Sequence, residues 1–131
     1  MTPKIISSWV RQARYRAKNN DIYTDLETED VQKIIEHFDR KCVYCGEEAT
    51  CLDHPFPLKI SAPNVPANTV PCCRSCRDEK KTNDIVWMFS EGLMCQDRYL
   101  ATVKYLLSLR GGDRIKKFFQ MATGIDDNTA A

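Results

Sequence analysis

Seven cysteines and two histidines hold much of the chemistry available to this chain of 131 residues. Four of the cysteines form two CxxC pairs, Cys42-Val43-Tyr44-Cys45 and Cys73-Arg74-Ser75-Cys76, with 27 residues between them. Two such pairs can deliver four thiolates to one tetrahedral zinc ion, each pair turning tightly around the metal. Gly46 directly follows the first pair, and glycine accepts the left-handed backbone that such a turn often requires. Thiol redox chemistry at one pair is the competing reading. A redox site usually needs one activated pair after a strand, whereas here two pairs bracket a loop, so structural zinc is the expectation. Cys72 could replace Cys73 in the ligand set, but the CxxC spacing favours Cys73. Cys51 and Cys95 are left over and read as buried thiols acting as small hydrophobes.

Between the pairs lies CLDHPFPLKI, residues 51–60, which sets Asp53 beside His54 and follows them with Pro55, Pro57 and then Pro63. So much proline excludes a helix or an ordinary strand. Taken alone, an Asp-His pair in such a loop is usually a turn in which the aspartate caps local backbone.

The elements that must position these residues are mostly helical. Residues 5–18 read as an amphipathic helix with Ile6, Trp9 or Val10, Ala13 and Ala17 on one face and Arg11, Arg14 and Lys18 on another. Asn19-Asn20-Asp21 ends it. A second helix is expected from Thr28 as N-cap, burying Val31, Ile34, Ile35 and Phe38, with His37 at the rim. One or two short strands are expected near 42–58, and a proline- and asparagine-rich loop at 59–68. Further helices are expected at about 74–81, at 84–89, at 97–109 with Tyr99, Val103, Leu106 and Leu107 inward, and at 113–121 after a stop at Gly111-Gly112.

Composition bounds the rest. With 43% hydrophobic and 28% charged residues, the chain can build one modest core without disulfides. No apolar run approaches the ~20 residues of a membrane helix, and the first residues lack the order of a signal peptide. A cytoplasmic location is therefore expected, where cysteines stay reduced. The net charge of +1 hides an asymmetry: residues 1–20 carry five bases and no acid, and residues 21–53 carry ten acids against three bases. Such asymmetry points weakly to nucleic acid.

The arrangement CVYCG, then LDHPFPL, then NTVPCCRSC with Lys80 four residues on, resembles the HNH endonuclease family, whose pattern is CxYCG, DHxxP and NxVPxCxxCNxxK. The match falls on Cys42, Tyr44, Cys45, Gly46, Asp53, His54, Pro57, Asn68, Val70, Pro71, Cys73, Cys76 and Lys80, and Trp87 stands where many members have tryptophan. The stretch before the knuckle looks like that of small phage and homing members, which would place the protein in a bacterial or phage-infected cell. The resemblance implies an α+β, mostly helical fold. Its zinc-stabilised ββα-metal core (41–91) would be flanked by N-terminal helices (1–40), C-terminal helices (92–123) and a flexible tail (124–131), all one domain. It also implies metal-dependent hydrolysis of DNA phosphodiester bonds, by nicking or cutting. His54 would be the general base, Asp53 a ligand to a catalytic Mg²⁺ or Mn²⁺, and Asn68 the brace of the loop that aims His54. Proline would then stiffen a segment that carries a group needing aim.

One position departs from the family. Where members have asparagine or histidine as second ligand to the catalytic ion, this chain has Arg77. A guanidinium offers no lone pair and repels a cation. Asp78 or Asn83 could substitute, the ion could rest on Asp53, water and phosphate alone, or Arg77 could itself contact phosphate. The last case leaves a slow enzyme or, as the alternative function, a zinc-stabilised DNA- or protein-binding module. Expected DNA contacts, mostly to the backbone, are Arg11, Arg14, Lys18, Arg74, Arg77, Lys80 and Lys81, with Lys116 and Lys117 near the end.

Overall fold

The computed structural model describes residues 1–125; the tail expected from residue 124 lies, from residue 126 onward, outside the described residues. Helix α1 (Pro3–Asn19) opens with Thr2, whose hydroxyl accepts the Ile5 N–H at 3.2 Å, and with Pro3 at a position where no N–H is needed. Its buried stripe is Ile6, Val10, Ala13 and Ala17. Helix α2 (Thr28–His37) is capped one residue earlier than Thr28. The Asp30 carboxylate reaches back to the Glu27 N–H at 2.9 Å, which makes Glu27 the cap and Thr28 the first helical residue. Val31, Ile34 and Ile35 are buried and Phe38 half-buried, while the exposed His37 stacks on Tyr105 at 3.4 Å.

Strands β1 (Cys51–Asp53) and β2 (Val70–Cys72) form an antiparallel pair with Cys51 opposite Cys72, Leu52 opposite Pro71 and Asp53 opposite Val70. The segment between them contains two 3₁₀ turns, Leu58–Ile60 and Pro66–Asn68, and residues 62–69 are all buried. Expected as a loop, this stretch is in fact interior. Four short to medium helices follow: α3 (Arg74–Lys80), α4 (Ile85–Ser90), α5 (Gln96–Leu107) and α6 (Gly112–Thr123). On α5 the buried positions are Thr102 and Leu106, one turn apart; Leu107, expected inward, lies round the helix and is exposed. Gly112 opens α6, so the stop rests on Gly111 alone, at φ +88°. A Cβ at Gly111 would stand 2.5 Å from Val65 Cγ2, so glycine there lets the α5–α6 turn close onto the buried segment.

The fold is α+β and mostly helical, as expected. Among the described residues, buried apolar side chains gather in two clusters. One gathers Phe56, Val65, Val70, Ile85, Met88 and the inner faces of α5 and α6. The other gathers Ile6, Val10, Leu26, Val31, Ile35 and Leu52. Leu52 is the link that matters for the site, because a strand residue packs there among α1 and α2 and brings β1 alongside the N-terminal helix. Arg110 ties the far end back: its guanidinium donates to the Asp25 carbonyl at 3.0 Å and ion-pairs with Asp30. Among the described residues no helix is long and apolar enough to cross a membrane.

Candidate active site and metal centre

Cys42 and Cys45 lie on the turn before β1, and Cys73 and Cys76 on the start of α3, with Cys73 as its N-cap. Their four sulfurs lie within 4.8 Å of one another, and Cys45 Sγ is 3.6 Å from Cys73 Sγ. A tetrahedron with Zn–S bonds of about 2.3 Å has edges of about 3.8 Å, so the cluster could hold a metal ion such as zinc. Two backbone amides point at the sulfurs, Glu47 N–H to Cys45 at 3.5 Å and Cys76 N–H to Cys73 at 3.4 Å. Gly46 has φ +83°, and the Arg98 guanidinium occupies the space a Cβ would take, 2.1 Å away. Cys72 belongs to another pair: its sulfur lies 3.3 Å from Cys51, facing it across the two strands. Cys95, expected to be buried, is exposed at the N-cap of α5.

His54 follows β1 directly and is buried, with one edge on a cleft of about 340 Å³. Its Nε2 lies 2.8 Å from Asn64 Oδ1, and the amide nitrogen of Asn64 donates to Thr24 Oγ1 at 3.0 Å. Asn64 itself is pinned through its backbone, its N–H to Tyr23 O at 2.9 Å and its carbonyl to Asp25 N–H at 3.1 Å. Nε2 therefore carries the ring hydrogen, and Nδ1 keeps its lone pair with no protein hydrogen bond among the described residues. Trp9 of α1 covers the imidazole, ring centroids 4.8 Å apart. Burial pushes the His54 pKa down to about 4, against the upward pull of the Asn64 bond and Asp53.

Asn68 holds the loop on which His54 sits. Its Oδ1 accepts the Phe56 N–H at 2.9 Å, and its amide donates to the carbonyls of Phe56 at 2.8 Å and Pro63 at 2.9 Å. Asp53 is committed as well. One oxygen, Oδ2, accepts from the Tyr44 hydroxyl at 2.9 Å and pairs with the Lys80 ammonium at 3.1 Å. Burial and the charge of Asp53 hold the Tyr44 pKa well above its ordinary value, so it remains a donor. The Lys80 side chain is 1% exposed and also donates to the His54 carbonyl at 3.0 Å. The expectation that Lys80 contacts DNA is thus corrected: its buried ammonium pairs with the partly buried Asp53 and donates to the His54 carbonyl.

The cleft beside His54 carries Arg16, Lys59, Arg77, Lys80 and Lys81 against one acid, Asp53. Of the other bases expected at the surface, Arg11 lines an adjoining recess with Trp9 and Arg77. Arg14 turns away, donating to the Leu26 carbonyl at 2.9 Å and to Glu27 at 3.2 Å. Lys18 and Arg74 are exposed but line neither recess. Lys81 reaches the cleft from a backbone at φ +54°, ψ −122°, a conformation rarely adopted by residues with a Cβ. Asp78 and Asn83 do not line the cleft, and the Asn83 amide is spent on the Lys80 carbonyl at 3.1 Å.

No protein-family model, curated protein or solved structure matches this chain. The functional reading therefore rests on the side chains just described. Three of them were not singled out as site residues from sequence: Asn64, Trp9 and Arg16. Trp9 and Arg16 are seven residues apart on one helix, hence on one face. Asn64 sits between prolines in APNVP, where a polar side chain in an apolar run calls for a partner.

Proposed function

We propose that this protein is a zinc-stabilised endonuclease of the HNH type that hydrolyses DNA phosphodiester bonds, nicking or cutting, with His54 as general base. One observation carries the reading: a neutral imidazole, held at Nε2 by Asn64, keeps Nδ1 without a protein partner among the described residues, and His54 lines a cleft that also carries Arg16, Lys59, Arg77 and Lys81. The bases would draw in a phosphate, and Nδ1 would take the proton of the water that attacks it. Asn68 and the Lys80 bond to the His54 carbonyl would hold the ring in place while the proton moves. A strand pair flanked by the two cysteine pairs, with α3 following, supports the ββα-metal assignment of residues 41–91. Zinc in the cysteine cluster would join the turn before β1 to α3, which brings Arg77 and Lys80 to the cleft.

The Mg²⁺ or Mn²⁺ implied by the resemblance fits these residues poorly. Among the described residues, Asp53 is the one carboxylate on the cleft, its Oδ2 is already engaged twice, and cationic side chains surround it.

Nicking of supercoiled plasmid by wild type and by His54→Ala, each with and without added magnesium or manganese, tests the proposal. Activity should vanish in the variant while zinc content and folding persist. Equal activity in both proteins would sink it. The same basic cleft also supports a second reading, a DNA-binding module that does not cleave, for which wild type would bind DNA without nicking it.

A further inference from the structure

Resting on the nuclease reading above, we propose that Arg77 supplies the positive charge on the scissile phosphate that a divalent ion would otherwise supply, so that this site cleaves without a catalytic metal. Arg77 is half-buried on α3 and lines both the His54 cleft and two recesses beside α1. Its guanidinium has no hydrogen-bond or ion-pair partner among the described residues, whereas the neighbouring Lys80 is paired with Asp53, which also accepts from the Tyr44 hydroxyl. A half-buried, unpaired guanidinium at the wall of a cleft can present two parallel N–H donors, which match two oxygens of one phosphate. Divalent cations meet the opposite conditions. Among the described residues, the only group of three or more metal-ligating side chains is the four cysteines. A cation beside Asp53 would sit among Arg16, Arg77, Lys80 and Lys81, whose like charge opposes it.

The reaction closes without an ion. Water attacks phosphorus and gives one proton to His54 Nδ1; the bond from phosphorus to the leaving ester oxygen breaks with its electron pair on oxygen. That oxygen takes a proton from solvent, and His54 returns its own to solvent, giving a phosphomonoester and an alcohol. Arg77 bears on the non-bridging oxygens as negative charge gathers on them.

The test is plasmid nicking in EDTA, with zinc measured on the same sample to confirm one ion per chain, against the same assay with added magnesium or manganese. Wild type should nick equally in both. Arg77→Ala should lower the rate in EDTA by about 100-fold, as loss of one oxyanion donor does, with zinc content and melting unchanged; Arg77→Lys should recover part of it. Nicking that needs added magnesium or manganese overturns this inference and leaves the nuclease reading intact. Arg77→Ala cleaving in EDTA like wild type also overturns it. No nicking under either condition overturns both.

Discussion

Asn64 Oδ1 sits 2.8 Å from His54 Nε2, and this one contact decides which nitrogen of the ring carries the hydrogen. Replacing it with Asn64→Ala frees the ring to turn and to change tautomer. Cleavage should fall about 10- to 100-fold, the scale of a misplaced catalytic group, while DNA affinity stays near wild type because Asn64 adds no charge to the cleft. Nicking rate against binding by fluorescence anisotropy separates the two. A matched loss of both would place Asn64 in binding.

The depressed pKa of His54 makes stability depend on pH. The imidazole protonates near 6.5 in the unfolded chain and near 4 in the folded one, with burial the main cause. Between those values the unfolded state holds more protons, so stability rises with pH. His54 contributes fully above pH 6.5, and the contribution is lost as pH falls to about 4, at up to about 1.4 kcal/mol per pH unit. Urea titrations at pH 7 and 5.5 should show a steeper loss in wild type than in His54→Gln. Thiolate protonation adds a slope common to both proteins and cancels in the comparison; equal slopes would contradict the assignment.

Lys80→Met removes the ammonium that neutralises Asp53 and leaves a mostly buried carboxylate unpaired. Breaking one side of a buried ion pair costs about 3–5 kcal/mol, so the variant should melt well below wild type. Adding Asp53→Asn should restore much of the loss. If Lys80→Met instead weakens DNA binding with no change in melting, Lys80 is a surface contact after all.

Lys81 holds a backbone conformation that costs of order 1–3 kcal/mol for a residue with a Cβ. Lys81→Gly relieves it, offset by about 1 kcal/mol of added freedom in the unfolded chain. The variant should be equal to or up to about 2 kcal/mol more stable than wild type by chemical denaturation. Its affinity for DNA should nonetheless drop, and the slope of log affinity against log salt should fall by about 1 as one phosphate contact is lost.

Cys42→Ser and Cys76→Ser should each abolish stoichiometric zinc and unfold at least the central part of the chain, since structural zinc contributes about 10–16 kcal/mol in small finger peptides. Cys95→Ser, at an exposed position, should do neither. Melting curves and metal analysis of the three proteins check this.

Part of this was readable in the residues themselves. The four cysteines that converge are those whose spacing encodes two local turns, and spacing survives in sequence because each turn is closed by near neighbours. The stripes of α1 and α2 were equally legible, being periodic. What escaped depends on residues far apart in the chain. Lysine reads as exposed, and only the fold shows that Lys80 meets an aspartate 27 positions earlier. Asn64 looks like a loop residue until Thr24 and His54 are found on either side of it. The cap of α2 moved to Glu27 because Asp30 reaches back, a choice between adjacent polar residues that propensity does not make.

Leu52 buries itself among α1 and α2, and the same docking lays Trp9 on His54 and Arg16 in the cleft. The signature that advertises the site and the site itself are therefore not coextensive. A transplant of residues 42–80 into another protein would carry the cysteines, the loop and the histidine, but would leave behind the lid of the ring and part of its positive wall. For the proposed nuclease, redesign of substrate choice would start on the first helix, outside every motif that marks the chain.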